Sequence, residues 1–151
     1  MAAWLAWGLI GGLLAGLVAF AAYVRLAPSD PARWHVGPDS GWYQDLPWNE
    51  VAPVTGGAIL RLSVTQGVSS DWLARLDAVA LATPRTARLA GSVEAGRITW
   101  ITRSALWGFP DYTTVELREE GLYIYARLRF GRDDRGVNAA RLRDWLARLE
   151  N

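Results

Sequence analysis

From Ala2 to Val24 the chain carries no charged side chain, and Arg25 ends the run. A helix rises about 1.5 Å per residue, so these residues reach roughly 34 Å, enough for a hydrocarbon core of about 30 Å. Whatever folds after Arg25 is therefore expected to be tethered to a bilayer. Ala19-Phe20-Ala21 has the small-residue pattern that a signal peptidase cuts. Against cleavage, only a bare Met precedes the run, and the run exceeds the roughly 7 to 15 residues of a secretory core. The expectation is a retained transmembrane anchor over residues 1–25. Trp4 and Trp7 near one end and Tyr23 near the other suit the aromatic belts of a span.

Within the span Gly8, Gly12 and Gly16 recur every fourth residue, which puts them on one helix face as two overlapping small-xxx-small motifs. Such a face suits a homodimer or a membrane-protein partner whose own helix docks there. The plainer reading is a span rich in small residues, as membrane helices often are.

Composition narrows the chemistry. All 16 basic residues are Arg, and with 15 acidic residues the formal net charge is +1, which gives no electrostatic case for nucleic acid. The chain has no Cys and a single His, His35, so a thiol nucleophile, a Cys zinc site and a multi-His metal site are ruled out. Without Lys there is no Lys-based Schiff-base chemistry. His35 lies in a Trp- and Pro-rich stretch with no recognisable Ser nucleophile motif nearby, so a surface or stacking role is expected of it. No cofactor is implied.

Residues 26–57 read as an arm. Pro28, Pro31, Pro38, Pro47 and Pro53 forbid a long helix, yet Trp34, Trp42, Tyr43 and Trp48 give it more rings than a free tether carries. The rings are expected to pack on the domain, the alternative being the membrane interface. Residues 58–151 read as one domain. Ala58 to Thr65 alternates with Leu60, Leu62 and Val64 on one side, the pattern of a half-buried strand. A helix follows, capped by Ser70, carrying Trp72, Leu76, Val79 and Ala80, and ended by Pro84. Four strands come next, at Thr86 to Val93, Arg97 to Thr102, Thr113 to Arg118 and Leu122 to Phe130. The closing helix has Asn138 as its cap, Val137 and Leu142 at staple positions, and a stripe of Leu142, Trp145, Leu146 and Leu149. The order predicts an α+β fold: a single transmembrane helix, then a two-layer domain of about five antiparallel strands with two helices on one face.

Two candidate sites follow. The sheet face away from the helices is expected to display Tyr123, Tyr125, Arg127 and Arg129, a surface for an anionic headgroup, an acidic peptide or a ring-bearing ligand; the alternative is a solvated face of cross-strand pairs. Gly131 to Asn138 links the last strand to the last helix, with Asp133 and Asp134 as turn acceptors. It lacks the ligand spacing of an EF-hand, so no metal is expected.

The run Arg129-Phe130-Gly131, then Asp134, Gly136, Val137, Asn138 and Arg141, preceded by Gly108-Phe109-Pro110-Asp111, resembles the signature of the family known as domain of unknown function 1499. The resemblance covers roughly residues 55–150 and implies a polar cluster of Asp111, Arg129, Asp134, Asn138 and Arg141. Leu128 and Tyr125 stand where many members carry Ser and Arg, so the cluster is less complete here. The resemblance implies a fold without a reaction, and the lipoprotein-like members of the family imply an extracytoplasmic domain. Arg25 and Arg33 beside the span argue the other way by the positive-inside rule. The reading that results is a non-enzymatic binding or assembly domain in a bacterial inner membrane, single-pass and facing the periplasm. Its rivals are a hydrolase or isomerase using Asp111 and Asp134 with neighbouring Arg residues, and a binder of anionic lipid headgroups through the Tyr/Arg face.

Overall fold

A computed structural model describes residues 2–63 and 70–150. The expected strand positions Val64 and Thr65 lie outside the described residues, and of Ser70 and Trp42 only the backbone is described. The first element is α1 (Ala2–Leu26), whose stretch Trp4–Leu26 has a mean hydropathy of 2.1 and is long and apolar enough to cross a membrane. Most of it touches nothing. Only its end meets the domain, where Val24 and Ala27 are buried, Phe20 packs edge-on against Phe109 and Tyr23 against Phe130.

The domain is built on six strands, β1 (Ala52–Val54), β2 (Gly57–Ser63), β3 (Thr86–Ser92), β4 (Arg97–Arg103), β5 (Pro110–Arg118) and β6 (Gly121–Leu128), all antiparallel in the order β1-β2-β6-β5-β4-β3. The count corrects the expectation of about five. The extra strand, β1, falls in the stretch expected as arm because Pro53 disqualifies a central strand; at a sheet edge a missing N–H costs no ladder bond.

Helices α3 (Ser70–Leu81) and α4 (Val137–Glu150) lie together on one face; the short α2 (Pro31–Trp34) and a 3-10 turn (Ser40–Tyr43) belong to the arm. Between helices and sheet, Leu60, Leu62, Ile98, Val115, Leu122 and Ile124 meet Leu73, Leu76, Leu142 and Leu149. Trp100 and Trp145 cross edge-to-face at 5.6 Å; the indole of Trp100 donates to Asp77 Oδ1 (2.8 Å) and that of Trp145 to Thr83 Oγ1 (2.8 Å), so each buried N–H is satisfied.

Two details of α4 differ from expectation. Asp134, not Asn138, caps it: its carboxylate accepts from the Gly136 amide (3.1 Å) and the Asn138 amide (2.9 Å). Asn138 is already inside the helix and fully buried. Val137 is helical too and 55 % exposed, so it forms no staple with the buried Leu142.

The arm covers the opposite face of the sheet. At Gly91 the chain adopts φ +87° beside a register shift in β3, and an added Cβ would lie 2.0 Å from the Arg97 carbonyl and 2.8 Å from the His35 ring. Only glycine lets strand and arm approach so closely there.

Candidate functional site

Alternation along β6 sends Tyr123, Tyr125, Arg127 and Arg129 to the same side of the sheet, away from the helices. That face is not open. Tyr123 is 5 % and Arg127 9 % exposed, because the arm lies over them. Tyr43 hydrogen-bonds the Ile124 carbonyl (3.0 Å) and meets the Tyr123 ring edge-on at 5.1 Å, with Trp48 on Tyr123 at 5.8 Å. Trp34 stacks on Tyr112 at 4.0 Å, and its carbonyl accepts from Arg127 Nη2 (2.7 Å). Arg118 reaches the Pro38 carbonyl (2.6 Å), and Arg61 binds the Leu46 carbonyl while lying over the Trp48 ring. Arginine suits this work because one planar guanidinium can stack on a ring and donate several hydrogen bonds at once. The expected ligand surface is thus occupied by the chain's own residues 28–48, and burial pushes the Arg127 guanidinium somewhat below its ordinary value.

His35 belongs to the same layer. Its Nδ1 lies 2.9 Å from Thr99 Oγ1, which is 2.9 Å from Thr114 Oγ1. Burial, then the positive charge of Arg97, lowers its pKa and favours the neutral ring. It is a packing histidine bonded to a threonine pair.

The polar motif divides between the two faces. Asp111, Asp134, Asn138 and Arg141 gather on the helix side: Asn138 Nδ2 is 3.3 Å and Arg141 Nη2 3.4 Å from Asp111 Oδ2, and Arg141 also donates to Asn138 Oδ1. Arg129 is not among them. It points to the arm side, where Nη1 donates to the Pro28 carbonyl (3.0 Å) and the Tyr112 hydroxyl (3.1 Å) at the junction of α1 and the arm. The pleat explains the split, since Leu128, the residue before it, is the partner of Asp111 across the ladder.

Burial pushes the Asp111 carboxyl above its usual range, outweighing the Arg141 charge. Burial also raises Asp134, but the amides it caps outweigh that and hold it low. Asp111 and Asp134 both border a cleft of about 630 Å³ that also takes in Arg85, Arg103, Phe109 and Arg141. Two carboxylates with values pushed apart are what acid–base chemistry uses. Here, however, both Asp134 oxygens are spent on backbone amides, and Asp111 Oδ2 faces Arg141 and Asn138. The buried Arg141 Nε has no hydrogen-bond partner, so the cluster keeps one unmet donor beside the cleft. Among the described residues no three His, Cys, Asp or Glu side chains are grouped to hold a metal ion.

A trough of about 540 Å³ adjoins this cleft, lined by Arg25, Arg85, Arg103 and Ser104 with no acidic residue. Sequence reasoning missed it, because its three arginines come from the end of α1, the turn before β3 and the end of β4. Each also donates to a backbone carbonyl: Arg25 to Leu106 (2.9 Å), Arg85 to Arg103 (3.1 Å) and Arg103 to Gly108 (3.0 Å). Gly8, Gly12 and Gly16 stand in open space; an added Cβ would meet nothing within 4 Å at any of them.

Residues 50–149 match the model of a family described as Protein of unknown function (DUF1499). No curated protein and no solved structure matches the chain. The chain belongs to the DUF1499 family.

Proposed function

For this member of the DUF1499 family we propose a non-enzymatic, membrane-anchored binding or assembly domain that works at the bilayer surface. One observation carries the reading: the end of the apolar helix is built into the domain. Phe20 and Tyr23 pack on Phe109 and Phe130, Val24 is buried, and Arg25 and Arg129 tie the helix end, the arm and the loop after β4 together through backbone carbonyls. A leader cut after Ala21 would remove Phe20 and its contact with Phe109 and leave Tyr23 and Val24 beside a new chain end, so the Phe20 contact favours an anchor that stays. The domain is then held in a fixed attitude, with the Asp111–Arg141 cleft near the membrane.

Acid–base catalysis by Asp111 and Asp134 is the reading set aside, since the cap and the Arg141–Asn138 bonds engage both groups. We place the domain on the periplasmic side of a bacterial inner membrane, supported by the family's lipoprotein-like members. Arg25 has a structural partner in the loop, which gives it a reason to be there besides topology. A reporter fused after Asn151 and active only in the cytoplasm would reverse that placement.

The test is purification of the tagged full chain in mild detergent beside Ala140→Trp, which fills the cleft from an exposed position on α4. A lipid or protein that accompanies the wild type and is lost with Ala140→Trp supports the proposal. Identical companions for both show that the cleft is not the binding surface, and recovery of a chain lacking its first residues from the soluble fraction removes the anchor.

A further inference from the structure

The loop between β4 and β5, residues 104–109, presents two large apolar side chains to its surroundings: Leu106 is 75 % and Trp107 39 % exposed. Their position is set by the membrane helix. The Leu106 carbonyl accepts from Arg25 (2.9 Å), and Phe109 in the same loop touches Phe20 at 6.1 Å between ring centroids. Phe20 is six residues before Leu26, so the loop reaches a level about 9 Å back along the helix from its end. If the span runs to Leu26, the loop is immersed among lipids; if the domain stays clear of the acyl chains, the span ends near Phe20, leaving 19 residues and about 28 Å, still close to a hydrocarbon thickness. The second case puts Leu106 and Trp107 at the interface, the depth that indole rings prefer.

The trough beside the loop carries Arg25, Arg85 and Arg103 with no acidic residue in its lining. Each guanidinium spends one or two N–H groups on carbonyls and has five, so donors remain for phosphate oxygens. We propose that the loop after β4 is a second membrane contact: Leu106 and Trp107 enter the interface of the bilayer that holds α1, and Arg25, Arg85 and Arg103 receive anionic phospholipid headgroups there. The occupant is lipid because the surface is continuous with the apolar helix. It deepens the anchored reading above and rests on it.

The chain has no cysteine, so single probes are clean. The full chain is reconstituted in vesicles of phosphatidylcholine with phosphatidylglycerol, carrying an environment-sensitive fluorophore on Leu106→Cys, on Ala95→Cys in the turn at the opposite end of β4, or on Leu13→Cys in the span. Trp107→Cys is a second loop position. Lipids with a nitroxide on the acyl chain are expected to quench the Leu106 and Leu13 probes by roughly twofold or more and to leave the Ala95 probe unchanged. Phosphatidylcholine alone, or Arg85→Gln with Arg103→Gln, is expected to reduce the loop quenching, by up to about fivefold in docked population for each arginine. Added inorganic phosphate should not replace the lipid effect. A Leu106 probe that stays in water while the Leu13 probe is quenched overturns the loop contact alone. A Leu13 probe in water overturns the anchor itself. A Leu106 probe shielded from aqueous quencher yet untouched by the nitroxide lipid means a protein occupant, a second copy included, and overturns the lipid assignment.

Discussion

The two faces of the sheet are held by different physics. On the helix side, Leu, Ile and Val side chains and the crossed Trp100 and Trp145 bury apolar surface, and both indole N–H groups are paired. On the arm side, stacked rings and arginines donating to main-chain carbonyls fasten a Pro-rich strip that has almost no ladder of its own. A helix layer is held by non-directional burial, worth about 25 cal/mol per Å². A strap is held by individual bonds whose loss frees it without dissolving the core. The helix side therefore makes the domain stable, and the arm side fixes how the domain sits on the end of α1.

The largest test of that division is Trp100→Ala. A fully buried indole replaced by a methyl group is expected to cost about 4 kcal/mol and to lower the denaturation midpoint of the whole domain, arm included. Trp34→Ala is expected to cost about 2 kcal/mol, because the ring is only half-buried. Its signature is different: hydrogen exchange rises over residues 30–46 while α3, α4 and β4 keep their protection. Equal loosening of both faces would erase the distinction. Arg127→Ala is expected to fall near 1 to 2 kcal/mol with the same local signature, since it leaves the Trp34 carbonyl short of its donor.

The smallest effect is a pH dependence on the arm side. Burial raises the Glu116 carboxyl, but hydrogen bonds from Arg97 (2.6 Å) and Arg118 (2.8 Å) outweigh it and hold the group below its ordinary 4.5. Its folded value is depressed, so the stability it supplies is full above the unfolded value and is lost as pH falls through the folded one. Wild type should lose stability in that acidic window, and Glu116→Gln should show a flatter acid limb with a difference at neutral pH below about 1 kcal/mol, the pair being partly solvent-screened. Matching acid limbs in the two proteins would remove Glu116 from the account.

How far the fold was legible follows the same division. Period-two alternation marked β2 and β6, turn residues bounded β3 to β5, and the Leu142, Trp145 and Leu149 stripe marked α4, because burial against a flat partner leaves a periodic trace. The strap leaves none. Tyr123, Tyr125 and Arg127 alternate as a solvated face would, and only the Trp, Tyr and Pro density of residues 28–48 pointed to something packing back. Pro53 hid an edge strand. At the site, the family resemblance grouped Asp111 with Asn138 and Arg141 but also drew in Arg129, which the pleat turns the other way. The Arg25, Arg85 and Arg103 trough is assembled from residues 60 and 18 positions apart, a proximity that no local pattern records.

The proposed function rests on the domain being fixed on the end of its apolar helix. Phe20→Cys with Phe109→Cys in the otherwise cysteine-free chain, oxidised in native membranes and read by mass spectrometry of the linked peptides, tests it most directly. The expected product is a bond within one chain, joining α1 to the loop after β4. Free thiols, or bonds only between chains, would contradict it.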